Sequence, residues 1–555
     1  MEIPSFNALI QQSIIDHWDM DALTDYKGAT LQYHDVARKI EKLHIMFENS
    51  GVVKGDKIAL CGRNSANWAV AFLATLTYGA IAVPILHEFI PEQIHNIVNH
   101  SDAKLLFVGD VVATQVDATK MPGLEGIIYI PDYSLVVSRT DKLTYAREHL
   151  NEMFGIKYPK YFRKNHVNYY MDQNPDELAM INYTSGTTGF SKGVMVPYRA
   201  LWGNADFAED VLGKKIKPGD SVISILPMAH MYGMAFEFIF EFIKGCHVFY
   251  LTRIPSPAII AEAFGRIKPA IVISVPMIIE KIIRKSIFPT AQTPKVKLLM
   301  KMPGIGKKVK EKICQHVMDV MGGNAYEVMV GGAGLNKEVE DFLLEIGFPI
   351  TMGYGTTETA PMITFSDYKD FVAGSCGTAV KHMEVKVLSD DPQNIPGEIV
   401  CRGINVMHGY YKNQAATDAV IDKDGWFHTG DLATMSEDGH FFIRGRIKNM
   451  LLGSNGQNVY PEEIEDKLNS MSMVSESLIV QRGDKLVALV HPDQHEVDAM
   501  GFDEEDLQNI MEQNRQDLNA MLPHFSKLSE IRIQDNEFEK TAKKSIKRYL
   551  YQNAE

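Results

Sequence analysis

The apolar stretch LAMIN at residues 178–182 leads directly into YTSGTTGFSKGV at residues 183–194, and this junction constrains the chain more than any other part of it. The apolar stretch reads as a buried strand. In the run that follows, Gly186 and Gly189 allow a tight turn and close backbone approach to a ligand. Thr184, Ser185, Thr187 and Thr188 add hydroxyls, and Lys192 adds a positive charge. Exposed N–H groups, hydroxyls and a cation stabilise anionic oxygens, so the loop reads as a polyphosphate cradle. It is not a Walker A loop, because no Gly-Lys-Ser/Thr follows four residues after a glycine. The plainer alternative is a Ser/Thr/Gly-rich surface turn.

A chain of 555 residues is too long for one hydrophobic core, so two or more domains are expected. A net charge of −14 argues against a general nucleic-acid binder. The five cysteines (Cys61, Cys246, Cys314, Cys376, Cys401) lie far apart and form no CxxC pair. Neither a zinc site nor a disulfide framework is indicated, which fits a reducing, cytoplasmic setting. The start, MEIPSFNALIQQ, has no basic region followed by an apolar one, so no signal peptide is expected. Residues 68–86 form an uncharged stretch of 19 residues, long enough to span a bilayer. Thr75, Thr77, Gly79 and Pro84 interrupt it. It is read as a buried helix, a turn at Gly79 and a core strand through Val83.

Short apolar runs alternate with amphipathic ones over the first four hundred residues: IAL at 58–60, LLFV at 105–108, VISIL at 222–226, AIVISV at 270–275. This predicts α/β layers with largely parallel sheets. From Glu398 the pattern shifts to short alternating strands, with turns at Asp424-Gly425 and Asp438-Gly439. PEEIEDKLNSM at 461–471 opens as a helix with proline in its first turn and acids after it. SLIVQRGDKLVALV reads as a hairpin about Gly483-Asp484, a long helix follows near residues 504–522, and KTAKKSIKR forms a basic tail. The boundary is placed near Ile447–Lys448, giving a large unit 1–446 and a small one 447–555.

Further stations follow the first. His230, in LPMAHMYG after a strand, either orients a substrate or is an interior polar residue satisfied by backbone. Gly331-Gly332-Ala333-Gly334 permits close approach of a flat ligand. In Gly353-Tyr354-Gly355-Thr356-Thr357-Glu358 the aromatic can stack a purine. The hydroxyls and carboxylate after it suit phosphate and Mg2+. The alternative is a tight turn with Thr357 as helix cap and Glu358 in the first turn. Asp431, in Thr429-Gly430-Asp431, can hold the two hydroxyls of a ribose, and Arg446 in Gly445-Arg446-Ile447-Lys448 can reach the same sugar or a phosphate.

The succession TSGTTG, LPMAH, GGAGL, GYGTTE, TGD, GRIK and NVYPEEIE resembles the AMP-forming acyl-CoA synthetases, members of the adenylate-forming superfamily. IVISVPMIIEKI, FLLEIGFPITMGYGTTET and PGEIVCRGINVMHGYY lean toward its long-chain fatty acid branch. The resemblance implies a large α/β N-terminal domain of several subdomains and a small, mobile α+β C-terminal domain. It implies that a carboxylate attacks the α-phosphorus of ATP, and that a thiol, usually that of CoA, then displaces AMP. By resemblance, Thr184, Ser185, Gly186, Thr187, Thr188 and Lys192 hold phosphates, and Glu358 with Thr184 helps hold Mg2+. Gly332, Ala333, Tyr354 and Gly355 lie along the adenine, Thr356 at the α-phosphate, Asp431 and Arg446 at the ribose. His230 lies at the acyl-pocket entrance and Lys448 at the hinge. Gly456 and Asn458 meet the pantetheine arm of CoA.

Two departures stand out. Ser191 occupies the place of a usual proline, which sets backbone shape rather than chemistry. Ser545 falls where the family carries an adenylating lysine, beside Lys543 and Lys544. Either Lys544 substitutes or adenylation is slow. The readings are therefore a long-chain fatty acid–CoA ligase, an acyl–acyl-carrier-protein or aryl-CoA ligase, or a degenerate nucleotide-binding member. Lys295, Lys297, Lys301, Lys307, Lys308, Lys310 and Lys312 crowd one short stretch, read either as a solvated helix face or as a peripheral membrane contact.

Overall fold

The computed structural model describes residues 3–171, 174–184, 191–252, 257–452, 458–483, 485–541 and 545–552. Its largest sheet has eight strands, in the order Gly409–Tyr410, Lys192–Pro197, Leu178–Thr184, Ile81–Ile85, Lys57–Cys61, Ala103–Val108, Gly126–Tyr129, Leu135–Ser138. The strands from Leu178–Thr184 through Gly126–Tyr129 run parallel. The three outer strands run antiparallel to their neighbours. The expectation of largely parallel sheets therefore holds at the centre and fails at the edges. Two of these outer strands, Lys192–Pro197 and Leu135–Ser138, follow their neighbours through short connections, which return a strand antiparallel, whereas parallel neighbours need a helical crossover. Every residue of Ile81–Ile85 is buried, as expected for a strand covered on both faces. Its recorded register against Leu178–Thr184 is the single pair Ala82↔Met180. Pro84, two residues on, has no N–H with which to extend that ladder.

Residues 68–86 fold as foreseen. Ser65 caps the helix Ala66–Tyr78, accepting the Trp68 N–H, and Gly79 ends it at φ 84°. That left-handed turn favours glycine and aims the chain into Ile81–Ile85. Trp68 is fully buried, 5.4 Å from the Phe72 ring and nearly parallel to it. Truncating such a residue to alanine costs about 3–5 kcal/mol. No described helix is long and apolar enough to cross a membrane.

A second sheet places Val272–Ser274, Val328–Val330 and Ile350–Gly355 in parallel, then Met362–Phe365 and Thr378–Ala379 antiparallel. A third, wholly antiparallel, contains Met383–Leu388, Gly397–Gly403, Phe427–Met435 and Phe441–Arg446. A fourth is made by Ser221–Ser224, His247–Tyr250, Asp21–Asp25 and Thr30–Gln32. After a short helical turn at Ile447–Asn449 comes a separate apolar core, in which Ile464, Leu468, Val490, Met511 and Leu518 pack together. It is built on the hairpin Val474–Arg482 and Lys485–Pro492, the strand Leu528–Ile533 and the helices Pro461–Leu468 and Glu504–Met521.

Several stations marked in the sequence fall at or beyond the carboxyl ends of strands: Thr184 at the end of its strand, His230 after Ser224, Gly332 after Val330, Glu358 after Gly355. Ligands of open α/β sheets bind at such ends.

Candidate active site

The strands Leu178–Thr184 and Lys192–Pro197 form a hairpin whose last pair is Thr184 opposite Lys192. The hydroxyl-rich run thus leaves and re-enters the sheet at one point, with a hydroxyl on one side and an ammonium on the other. Ser185, Gly186, Thr187 and Thr188 lie outside the described residues. The hairpin is anchored from below: Asn182, 2% exposed, donates through Nδ2 to the Ala229 carbonyl at 2.9 Å.

Lys192 Nζ lies 4.7 Å from the centre of the Tyr410 ring. Tyr410 donates its phenolic hydrogen to Glu358 Oε1 at 2.9 Å. It pairs with Val194 in the edge strand, and the Met407 N–H donates to the Glu358 carbonyl at 2.8 Å. Burial and the Glu358 carboxylate hold the Tyr410 phenol far above its usual range, so it stays a donor. Tyr410 is thus the link between Lys192 and Glu358. It lay within a run used only to choose a family branch, and nothing in its spacing marked it.

Glu358 sits in a single helical turn, Thr357–Thr359, capped by Thr356 rather than by Thr357 as the turn reading expected. The cap sits one residue earlier because the Thr356 N–H bonds the Pro361 carbonyl at 2.9 Å, and so stays outside the turn. A side chain at Gly355 would meet that same carbonyl at 2.0 Å, so its glycine answers to the protein's own backbone. Gly331 is similar: a Cβ there would lie 3.0 Å from the Tyr232 ring. Tyr232 donates to the Met329 carbonyl at 3.1 Å. Gly332, at φ 90°, and Ala333 stand exposed beyond it. His230 is half-buried and caps the turn Met231–Met234, its Nδ1 accepting the Tyr232 N–H at 3.3 Å. The backbone-satisfied reading of His230 is met at Nδ1.

Asp431 and Arg446 face each other across the antiparallel ladder, and Arg446 Nε donates to Asp431 Oδ1 at 2.9 Å. Asp431 is 5% exposed and accepts a second hydrogen bond from Tyr354 Oη at 2.7 Å. Burial raises its carboxyl pKa, against the pull of Arg446 and Tyr354, and the charge of Glu358 adds to the rise. Burial lowers the Lys448 pKa; Arg446 and Lys192 add to that and Asp431 opposes it. Contacts join Lys192, Tyr410 and Glu358 in one group and Tyr354, Asp431 and Arg446 in another, and the charges of Glu358 on Asp431 and of Lys192 on Lys448 bring the two groups near each other. A sugar diol and a polyphosphate chain match this chemistry: a buried carboxylate with its paired guanidinium in one group, and the Lys192 ammonium beside Glu358 in the other.

Among the described residues no group of three or more His, Cys, Asp or Glu could hold a metal ion. A cation here would take one carboxylate and one hydroxyl from Glu358 and Thr184, and its remaining ligands from substrate and water. That donor set fits Mg2+, a hard ion that keeps water and bridges phosphates.

At the junction of the two units, a Cβ on Gly445 would approach Glu462 Oε2 to 2.7 Å, and Asn449 Nδ2 donates to Glu462 Oε1 at 2.6 Å. Asn336 Nδ2 donates to Ser470 Oγ at 2.6 Å, tying the large unit to the small one. Asn458 begins the two-residue strand Asn458–Val459 and is exposed, while Gly456 lies outside the described residues. In the tail, Lys540 and Ile546 form a bridge and the Thr541 N–H bonds the Ser545 carbonyl at 2.8 Å. Lys544 lies outside the described residues. Lys540 is paired with Glu476 and Lys547 with Glu539; Arg548 is paired with Glu465.

Residues 11–411 match a family model described as AMP-binding enzyme, and residues 448–554 one described as AMP-binding enzyme C-terminal domain. The "Long chain acyl-CoA synthetase 7, peroxisomal" of Arabidopsis thaliana is 28% identical over 477 residues, 80% of this chain and 66% of that protein. The chain thus spans just under two thirds of that relative. The "Long-chain-fatty-acid--CoA ligase" of Escherichia coli O157:H7 is 28% identical over 489 residues, 82% of this chain and 79% of that one. Among solved structures, the anthranilate CoA ligase AuaEII in complex with anthranoyl-AMP aligns with a TM-score of 0.77 at 19% identity, covering 99% of this chain and 97% of that one.

Proposed function

The chain belongs to the AMP-binding enzyme family, and from that premise we propose that it is an AMP-forming ligase that activates a long-chain fatty acid with ATP and passes the acyl group to CoA. Its mixed α/β architecture, with a large N-terminal and a smaller C-terminal domain, is that of adenylate-forming enzymes. The domains divide at the turn Ile447–Asn449, and the smaller one moves between the two steps.

The observation that carries this reading is the convergence of Lys192, Tyr410 and Glu358 with Tyr354, Asp431 and Arg446 around one crevice. Asp431 accepts the ribose hydroxyls, and Tyr354 lies along the adenine beside Gly332, Ala333 and Gly355. Thr356 contacts the α-phosphate. Lys192 and residues 184–188 hold the β- and γ-phosphates. Glu358 and Thr184 would hold a Mg2+ ion, which would supply charge neutralisation when bound. A carboxylate oxygen of the acid attacks the α-phosphorus in line, forming the acyl–phosphate bond as pyrophosphate leaves. The CoA sulfur then attacks the acyl carbon, its proton passes to solvent, and AMP departs. An anion is brought onto a polyanion, so positioning and fixed charge supply most of the rate. His230 borders the acyl pocket, Lys544 takes the role of the adenylating lysine or adenylation is slow, and the pantetheine arm is assigned to Gly456 and Asn458.

The long-chain substrate rests on the names of relatives below 30% identity. A second reading, an aromatic acid, is favoured by the aryl-CoA ligase among the similar folds. An acyl carrier protein is the alternative acceptor to CoA, and the proposed location is cytoplasmic. Pyrophosphate release with straight-chain acids of graded length and with aromatic acids, each with and without CoA, separates them. Turnover confined to long chains and completed by CoA is expected. Preference for aromatic acids moves the assignment to the second reading, and no turnover with any acid overturns both.

A further inference from the structure

The lysine-rich segment forms a helical hairpin, Pro294–Lys301 and Gly306–Val320, joined by the turn of residues 302–305. Its inner side is tied to the body of the protein: Met300 is 7% exposed and Val317 fully buried. Its outer end is apolar and open. Leu298 is 65% exposed, Ile305 47% and Met302 40%. Gly304, at the apex, would bring an added Cβ within 4 Å of nothing.

Lys301, Lys307 and Lys308 flank this apolar tip in the chain, and Lys295, Lys297 and Lys312 lie further along the two helices, all exposed. Of the seven lysines only Lys310 is ion-paired among the described residues, to Glu345 at 3.0 Å. One acid, Glu311, lies among them in a chain whose net charge is −14. The lysines also break a local rule. Neither helix has an acid in its first turn, and Lys307 and Lys308 occupy that turn in the longer helix. The positive end of the helix dipole favours acids there, so the arrangement works against the helix's own stability. Local choices that oppose the fold point to another use.

We propose that this hairpin docks the protein on anionic lipid bilayers, with Met302 and Ile305 entering the interface and the lysines meeting the headgroups. The charge pattern fits lipid phosphates, which attract basic clusters within a Debye length of the surface. The small apolar tip fits a wedge into the headgroup layer. It is too small for a stable protein interface, which buries on the order of 800 Å² per partner. This inference stands on the hairpin alone, whichever acid the site activates.

The test is co-sedimentation of the full chain with vesicles of phosphatidylcholine, alone or with one third phosphatidylglycerol. Binding to the anionic vesicles only, weakened by salt, is expected. Lys307→Glu/Lys308→Glu should lower it about thirtyfold or more and Met302→Ser/Ile305→Ser about tenfold, with a melting temperature that is not lowered by the first pair and unchanged pyrophosphate release on a soluble acid. In Ile305→Trp the indole should be quenched by brominated lipid. No binding to anionic vesicles, binding indifferent to the hairpin substitutions, or an unquenched indole overturns the proposal.

Discussion

Tyr354 Oη lies 2.7 Å from Asp431 Oδ2, joining the end of a parallel strand to the antiparallel sheet ahead of the domain junction. The same carboxylate holds Arg446 Nε at 2.9 Å. The two contacts fix where the buried charge points, which is what recognition of a diol requires. Asp431→Asn is expected to lower kcat/KM for ATP by about tenfold to a hundredfold, the range for hydrogen bonds to charged groups. Tyr354→Phe, which leaves the charge in place, should cost about tenfold or less. Steady-state kinetics at saturating acid checks both, and wild-type values in the Asp431 variant would remove the diol contact from the account.

Glu358 is oriented by Tyr410, whose ring also carries the Lys192 ammonium on its face. Tyr410→Phe keeps the ring and removes the hydrogen bond. It should lower kcat/KM by about twofold to tenfold and raise the Mg2+ concentration needed for half-maximal rate. Chelation of divalent ions should abolish turnover in the wild type. An unaltered Mg2+ dependence in the variant would mean that Glu358 needs no such support.

Glu241 is 1% exposed, and neither carboxyl oxygen has a hydrogen-bond partner among the described residues. Burial raises its pKa from 4.5 to about 8. Between those values the native state holds a proton that the unfolded chain has released. Its contribution to stability is therefore complete below pH 4.5 and is lost as pH rises to about 8, by up to about 1.4 kcal/mol per pH unit. Glu241→Leu should gain melting temperature over the wild type at pH 8 relative to pH 5.5. Parallel melting-temperature profiles for the two proteins would contradict this.

The tail gives a sharper test. Lys540, Lys547 and Arg548 are each occupied by a carboxylate of the small domain. If Lys544 supplies the adenylating charge, Lys544→Ala should slow pyrophosphate release by about a hundredfold to a thousandfold. Ser545→Lys in that background should restore part of it. Equal rates in wild type and both variants would show that this tail takes no part in the first step.

Local elements were legible because their signals are local. The helix and strand in residues 68–86, the hairpin about Gly483 and the helix after proline at 461 follow from period, caps and turn residues. Pairings across long stretches were not. Tyr410 meets Glu358 over 52 residues of chain and Tyr354 meets Asp431 over 77, and no periodicity encodes which strand ends adjoin. Gly331 and Gly355 were read toward a ligand, yet Gly355 is required by the Pro361 carbonyl and Gly331 is closely approached by the Tyr232 ring. The lysine cluster was visible in the sequence. Its apolar apex was not, since Leu298, Met302 and Ile305 look like core residues until the turn exposes them.

The central claim is that ATP and a long-chain acid react in the crevice bounded by Lys192, Glu358 and Asp431. Incubating the protein with ATP, Mg2+ and a long saturated fatty acid, without CoA, and analysing the bound material by mass spectrometry tests it most directly. The account predicts acyl-AMP and pyrophosphate in the wild type, acyl-AMP converted to acyl-CoA and AMP when CoA is added, and a much smaller yield from Asp431→Asn. Intact ATP and no acyl-AMP with any fatty acid would contradict it.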